Sequence, residues 1–367
     1  MGVRILQLGT GIRGEQWAEI IRANPNTENV GYVDANVPFA QAQLAKWGET
    51  VPVYSDLDQA IADLKPDVAV IATPPEYHLA ECRSLFKAGV HVLCEKPLTE
   101  TLDESIEIVR LAEEANVTLG VGMEFRYLNV TQTFRRLITD GSMGRPSFSL
   151  YSYERNRDPR RRDLNKYPIT MKQPMLLEQS IHHFDLFRYC FADEVKAVRC
   201  DTWRPEWSHY NDHPCVAALM EFNKGLHMNY HGTWTTAWNA PSFFWRTDCS
   251  NGVLYQKEIY SDLYRTFYTK DLAIRLERAS WMIDNEKRFE PLIEIPVDPD
   301  VPFMDDTAKL LQEFIDALEG KCEFLTTGRD HLKTMAVTLA CVEASETGER
   351  VVMDDFYKRS GIPSKWL

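Results

Sequence analysis

A glycine triplet sits where a strand hands over to a helix, and few folds accommodate that arrangement. Gly9-Thr10-Gly11-Ile12-Arg13-Gly14 follows the apolar run Val3–Leu8 and opens the amphipathic stretch Arg13–Ala23. In a G-x-G-x-x-G string the first glycine permits a tight turn and the second lets a pyrophosphate approach the backbone. The third lets helix and strand pack closely, while the helix N-terminus supplies amides and a favourable dipole. The string alone is weak, because 18 glycines generate such spacings by chance. Its context is stronger: Asp34 ends the second strand-like run, about 20 residues beyond Gly14. Asp34 is suited to accept hydrogen bonds from the adenosine ribose hydroxyls. A 2′-phosphate would meet its charge, and Ala35 and Asn36 offer no cation, so NAD is expected rather than NADP.

The first third of the chain repeats this strand-to-helix alternation. Strand-like runs at Val3–Leu8, Val30–Val33, Val51–Tyr54, Val68–Ala72, Val90–Cys94 and Val117–Val121 are separated by helical stretches. These stretches are Arg13–Ala23, Phe39–Trp47, Asp56–Asp63, Tyr77–Ala88 and Leu102–Ala115, with Ser55 placed to cap the third. Such alternation implies right-handed crossovers and a doubly wound parallel sheet. After a helix at Thr131–Thr139 the pattern turns β-rich: Ser147–Tyr153, Val195–Trp203, Val216–Phe222, Leu226–Thr235 and Phe243–Thr247. One helix near Leu176–Phe191 interrupts these strands, and Asn223-Lys224-Gly225 and Ser250-Asn251-Gly252 mark hairpins. Helices at Asp305–Leu318 and Arg329–Thr347 close the chain. The expected fold class is α/β plus α+β. Residues 1–122 form a Rossmann domain and 123–367 a substrate and oligomerisation domain with an open, largely antiparallel sheet. The closing helices are free to pack back on the first domain.

Composition narrows the function. A formal charge of −13 disfavours nucleic acid and anionic membrane surfaces. No uncharged apolar run approaches the roughly 20 residues that span a bilayer. Eight cysteines without a CxxC pair argue against a disulfide scaffold or a structural zinc. His209 and His213 have only Asp212 nearby, so no metal is expected. Met1-Gly2-Val3-Arg4 runs straight into a strand, and Leu6 breaks a myristoylation pattern, so a cytoplasmic location is expected.

Cys94-Glu95-Lys96-Pro97 then brings a family into view. The chain resembles the Gfo/Idh/MocA oxidoreductases, a group that includes glucose–fructose oxidoreductase and inositol dehydrogenases. The resemblance runs from the glycine loop through Ala72-Thr73-Pro74-Pro75 with His78, Glu95-Lys96-Pro97, and Glu178-x-Ser-x-His182-x-x-Asp185. It ends at Ala344-Ser345-Glu346-Thr347-Gly348. It implies that Gly9, Thr10, Gly11, Ile12, Arg13, Gly14, Asp34, Thr73, Pro74, His78, Glu95 and Lys96 line the cofactor. It further implies that Lys96, Glu178 and His182 meet the substrate and that Lys96–Pro97 is a cis bond. Two departures stand out: Glu178 replaces the usual Asp, and Ser180 the usual Gly. Glu124 also stands where a polar amide is more usual.

The residues themselves support much of this. Lys96 follows a strand end, where ligands of open α/β sheets bind. Glu178, His182 and Asp185 fall within about 60° of arc on a 3.6-residue helix, with Leu177, Ile181, Phe184, Leu186 and Phe187 around them. A narrow ionisable stripe on an apolar helix is costly unless paired, which suits an active-site edge; a solvated face carrying a Glu–His pair is the plainer alternative. His182 fits a base for a secondary hydroxyl, Glu178 a partner for its imidazole, and Lys96 a donor to the reacting oxygen.

Arg126, Arg155, Arg157 and Asp185 are candidate substrate contacts. The segment from Arg155 to Arg162 is a basic island suited to a carboxylate or phosphate, or to a solvated loop or subunit contact. Trp203, Trp207, Trp234, Trp238 and Trp245 fit a sugar platform, a sheet core or an interface. The expected activity is NAD-dependent oxidation of a sugar, inositol or sugar acid. Glycoside cleavage through transient oxidation and a non-catalytic NAD-binding regulator are the alternatives. A homo-oligomer, dimer or tetramer, formed through the second sheet is expected.

Overall fold

The computed structural model describes residues 2–158, 160, 164, 166–236, 242–268 and 290–367. Six parallel strands form the first sheet: β1 (Val3–Leu8), β2 (Thr27–Val33), β3 (Val53–Tyr54), β4 (Val68–Ile71), β5 (His91–Cys94) and β6 (Leu119–Val121). Their order is β3-β2-β1-β4-β5-β6, so the sheet reverses direction of growth between β1 and β4. That switch point places the ends of β1 and β4 side by side, with Leu8 opposite Ile71. The crossovers are α1 (Ile12–Ala23), α2 (Val37–Trp47), α3 (Leu57–Leu64), α4 (Pro75–Lys87) and α5 (Leu102–Glu114). Local chemistry starts these helices: the side chains of Asn36, Asp56 and Thr101 accept from the amides of Phe39, Gln59 and Glu104. Asp56, not Ser55, therefore caps α3; its carboxylate reaches the third amide and leaves no role for the serine.

After α6 (Asn129–Thr139) the second sheet runs β7 (Pro146–Glu154), β8 (Val195–Trp203), β9 (Cys215–Phe222), β10 (His227–Thr233), β11 (Ser242–Cys249), β12 (Gly252–Gln256), β13 (Tyr264–Phe267), β14 (Ile293–Glu294) and β15 (Val351–Val352). The order is β14-β13-β12-β11-β7-β10-β9-β8-β15. All pairings are antiparallel except β7 with β10. Its inner face packs against α7 (Ile181–Phe191), which is buried along its whole length. Its outer face carries the exposed side chains of Phe148, Trp203 and Leu219.

α8 (Asp305–Leu318) and α9 (Gly328–Thr347) follow, with α10 (Met353–Arg359) near the end. All strands of the first sheet precede residue 122, yet one of its covering layers comes from the far end of the chain. Leu310, Leu311, Phe314 and Ile315 of α8 share a core with Ile5, Trp17, Val68, Val70 and Leu93. Fully burying each such side chain contributes roughly 1.5–3 kcal/mol, which holds the return segment firmly. Thr326 and Thr327 extend the edge at β6, where the Val121 amide donates to the Thr326 carbonyl. Among the described residues no helix is long and apolar enough to cross a membrane.

Candidate active site

The glycine turn is built as its spacing requires. Gly9 has φ +89°, and a Cβ there would lie 2.8 Å from the Ala72 carbonyl oxygen. A Cβ on Gly14 would lie 2.3 Å from the Gly9 carbonyl oxygen, whereas one on Gly11 meets nothing within 4 Å. Open space thus faces Gly11 at the N-terminus of α1, with the exposed Ile12 beside it. Asp34 Oδ2 accepts from the Thr10 amide (3.0 Å) and hydroxyl (2.6 Å), and Oδ1 from the Asn36 amide (2.9 Å). An open approach to helix amides beside a half-buried carboxylate at the end of β2 fits a dinucleotide. Gln7 is an unanticipated part of this turn. Fully buried, it donates from Nε2 to the carbonyls of Gly9 (3.0 Å) and Gly14 (2.8 Å). A polar residue inside an apolar strand was the signal available in the sequence.

Several residues expected to line the cofactor spend their polar atoms on the protein. The Arg13 guanidinium turns inward to Glu95 Oε1 (2.6 Å), Gln16, the Phe303 carbonyl and Thr307 Oγ1 (3.1 Å). Glu95 Oε1 also accepts from Trp17 Nε1 (2.8 Å). Burial would raise the Glu95 carboxyl, but Arg13 and Lys96 overcome it and hold it below its ordinary value. His78 is fully buried, with Nδ1 on the Leu98 carbonyl (3.0 Å) and Nε2 on that of Thr73 (2.9 Å). It clamps the loops after β4 and β5 to each other. Thr73 Oγ1 donates to Glu81 (2.6 Å), and Pro74 leads into α4.

The loop after β5 carries the cis Lys96–Pro97 peptide. Lys96 Nζ donates to Glu178 Oε2 (2.9 Å) and to the Glu178 carbonyl (2.8 Å), and both side chains are largely buried. Glu178 lies not on a regular helix but on a π-helical turn, Met175–Ser180, that leads into α7. Such turns are frequent at functional sites. Here the wide turn and the reach of a glutamate bring the carboxylate to Lys96. The expected Glu178–His182 pairing is absent for that reason: no hydrogen bond joins them, and His182 Nδ1 is buried without a partner. His182 is held instead by stacking on Phe125, with ring centroids 4.5 Å apart. Burial, and then the Lys96 charge, push its imidazole well below the usual value, so the ring is neutral. Tyr167 faces the other side of Glu178, and burial followed by that carboxylate raises its phenol well above the ordinary range. Ser180 turns into the core onto the Tyr230 hydroxyl (2.7 Å), so its replacement of glycine leaves the site untouched.

Asp185 faces Arg126, which donates from Nε to Oδ2 (2.6 Å) and from Nη2 to Oδ1 (2.5 Å). Asp330, Arg188 and Thr334 complete a buried network around this pair. Both residues were candidate substrate contacts, but their charges are spent on each other, because burial makes an unpaired charge too costly. The stripe carried by the π turn and α7 thus faces the edge of the first sheet. Glu178 meets Lys96, His182 meets Phe125 and Asp185 meets Arg126. Arg157 is also internal: it donates to Tyr210 Oη (3.0 Å) and lies 4.6 Å from the Trp234 ring. Arg160 pairs with Asp158 (2.6 Å), and Arg155 is half-buried. Arg161, Arg162 and Trp238 lie outside the described residues. Trp245 is core, Trp234 is buried, and Trp203 and Trp207 line a groove of about 420 Å³ on the outer sheet face.

Glu124 extends the site toward Arg13, 3.8 Å away. Burial, helped by Glu95 and Asp306 and opposed by Arg13, raises its carboxyl to about 8. Three acids, Glu95, Glu124 and Asp306, thus surround one arginine, and the cheapest response is to keep a proton on Glu124.

Residues 3–123 match the model of an oxidoreductase family with an NAD-binding Rossmann fold, and residues 131–255 match the GFO/IDH/MocA C-terminal domain. A 1,5-anhydro-D-fructose reductase of Ensifer adhaerens is 24% identical over 80% of this chain and 82% of its own. An inositol 2-dehydrogenase of Mycolicibacterium smegmatis is 28% identical over 53% of this chain and 55% of its own. The structure of an Agrobacterium radiobacter oxidoreductase in complex with NAD+, L-tartaric acid and magnesium shares the fold. It has a TM-score of 0.83 and 19% identity, and covers 97% of this chain and 99% of that one. Glycine turn, sheet order, Lys96 loop and family matches agree: this chain belongs to the Gfo/Idh/MocA family of NAD-dependent oxidoreductases.

Proposed function

We propose that this oxidoreductase removes hydrogen from a secondary hydroxyl of a sugar, inositol or sugar acid, using His182 as base and Lys96 as the donor to the reacting oxygen. One observation carries the reading. Lys96, fixed after β5, is hydrogen-bonded to Glu178, one turn before His182 on the segment that faces the same sheet edge. The names of relatives, an anhydrofructose reductase and an inositol dehydrogenase, support the substrate class.

Gly9, Gly11 and Gly14 would admit the pyrophosphate, Asp34 would hold the adenosine ribose, and the Thr73 and Lys96 loops would flank the nicotinamide. NAD, when bound, supplies the two-electron acceptor. In the reaction one carbon loses a hydrogen with its electron pair and the attached oxygen loses a proton, which leaves a carbonyl. His182 receives that proton on Nε2, because Nδ1 is sealed without a partner. A neutral ring is ready to accept it. Lys96 donates to the oxygen as negative charge develops, and Glu178 aims the ammonium. Phe125 keeps the imidazole in place. The test is an NAD-reduction screen across free sugars, inositols, sugar acids and simple glycosides, with His182→Ala as blank. NADH that depends on His182 is expected; cleavage of a glycoside without net NADH would replace dehydrogenation by oxidation–elimination, and NADH undiminished in the variant would remove His182.

We also propose that a second copy of the chain covers the outer face of the second sheet. Leu219 is 52% exposed there, on the same face as Phe148 and Trp203, and an open apolar sheet face is an association surface. Leu219→Glu is expected to lower the mass seen by light scattering, and a monomeric parent chain at micromolar concentration would contradict the idea.

A further inference from the structure

The described arginines of the basic island have separate fates, and Arg155 has no partner among the described residues. Along β7 successive side chains alternate between the two sheet faces. Tyr151 and Tyr153 point inward, each 4.9 Å from the His183 ring of α7. Glu154 points outward, 3.8 Å from His231 and into the outer groove. The chain continues in register, because the Arg155 amide donates to the Thr233 carbonyl (2.9 Å), so Arg155 falls on the inner side with Tyr153. Arg157 follows the same alternation and is seen inside against Tyr210 and Trp234.

Among the described residues the Arg155 guanidinium has no hydrogen bond, ion pair or ring contact, although the residue is half-buried. Its charge acts on Tyr260, where it opposes the rise that burial imposes on the phenol. Tyr260 lies edge-on to Phe125 at 5.7 Å, and Phe125 is the ring on which His182 stacks. The other cations around the site have partners: Arg157 lacks a counter-charge but is hydrogen-bonded to Tyr210 over the Trp234 ring, and the rest are ion-paired. Lys96 has Glu178, Arg13 has Glu95, and Arg126 and Arg188 have Asp185 and Asp330. A cation that has given up part of its hydration without gaining a counter-charge is destabilising in the free protein. A planar fork is also the group best matched to a carboxylate, which it binds through two parallel hydrogen bonds.

We propose that Arg155 anchors a carboxylate of the substrate, which makes this chain a dehydrogenase of polyhydroxy acids rather than of neutral polyols. The proposal rests on the reading of His182 and Lys96 given above and adds the chemical class on which they act. The acid group would sit on the inner side at the end of β7 and place a secondary hydroxyl further along the same carbon chain toward His182.

The experiment compares each acid with its own carboxamide, which has the same shape without the charge. Purified protein with saturating NAD is assayed for NADH on D-gluconate, D-galactonate and D-glucuronate and on the three amides. The expected kcat/KM of the best acid exceeds that of its amide by about tenfold to a hundredfold, the range for a charged hydrogen-bonded contact. Arg155→Gln is expected to raise KM for the acid and bring the two compounds toward parity, while Arg155→Lys keeps part of the preference. Melting temperatures of both variants show whether they fold, and the parent comparison needs neither. Equal or better turnover of amides or neutral polyols by the parent chain would overturn the proposal and leave the dehydrogenase reading standing. So would an acid preference that survives in folded Arg155→Gln. No NADH from any sugar, polyol or acid would overturn both.

Discussion

The glycine turn separates two kinds of damage that one substitution type, glycine to alanine, inflicts at neighbouring positions. At Gly14 the added Cβ would lie 2.3 Å from the Gly9 carbonyl oxygen and 3.1 Å from Gln7 Nε2. Backbone must move by about an ångström to relieve it, and overpacking of this kind costs about 1–3 kcal/mol. The same movement strains the two hydrogen bonds from Gln7, each with a net value of about 0.5–1.5 kcal/mol. At about 2–4 °C per kcal/mol for domains of this size, a loss of some 2–4 kcal/mol lowers the melting temperature by roughly 4–16 °C. At Gly11 the backbone is φ −72°, ψ −164°, which any residue adopts, and nothing lies within 4 Å of the new atom. Alanine there is expected to leave the fold as stable as before, or to add about 0.4–1 kcal/mol by restricting the unfolded chain. Its methyl group would nonetheless stand where a pyrophosphate approaches the helix amides, and a loss of NAD affinity of about tenfold corresponds to only 1.4 kcal/mol. The assay pairs a thermal melt with an NAD titration on each variant. Unchanged NAD affinity in Gly11→Ala, or a melting loss there equal to that of Gly14→Ala, would refute the reasoning.

Three further outcomes follow from charges rather than volume. The neutral, buried His182 implies that kcat/KM stays level as pH falls through 6.5 and declines only well below it; an acid limb centred at the ordinary imidazole value would contradict this. Glu124 keeps its proton up to about 8 when folded but releases it near 4.5 when unfolded. The folded state therefore binds the extra proton between these values, and stability is full below that window and falls as pH rises through it. Glu124→Gln is expected to flatten this slope in pH-dependent melts and to be more stable than the parent above pH 8; an unchanged slope would reassign it. Arg126→Met leaves Asp185 and Asp330 with Arg188 alone, and should destabilise by about 3 kcal/mol, the lower end for breaking a buried ion network. A denaturation midpoint unchanged in that variant would show that the network contributes specificity and not stability.

The first domain was largely legible because its strands alternate with capped amphipathic helices, so composition and period speak for the same elements. The boundaries of β1 and α8 were read to the residue. That α8 could pack back on the first domain was readable, but not which side chains it would meet there, since an amphipathic face says that a helix packs and not on what. β12 to β15 went unread because strands of two to five residues carry little or no periodicity. At the site, regular helix spacing put Glu178, His182 and Asp185 on one face, although Glu178 lies on a π turn before the helix. It paired Glu178 with His182 because sequence neighbours on a regular helix are four apart. The π turn and a lysine 82 residues away in sequence override that local rule. The arginine island shows the same limit: charge was visible, but only tertiary partners distinguish Arg157 from Arg155, while Arg160 pairs locally with Asp158.

The central claim is that a hydrogen with its electron pair leaves a substrate carbon while His182 holds the hydroxyl proton. Its most direct measurement uses a polyhydroxy substrate deuterated at the reacting carbon, with mass spectrometry of the recovered nicotinamide cofactor after one turnover. The account predicts NADH carrying one deuterium from the parent chain and unlabelled NAD from His182→Ala. Label that remains on the substrate skeleton, or that reaches the cofactor equally well without His182, would contradict it.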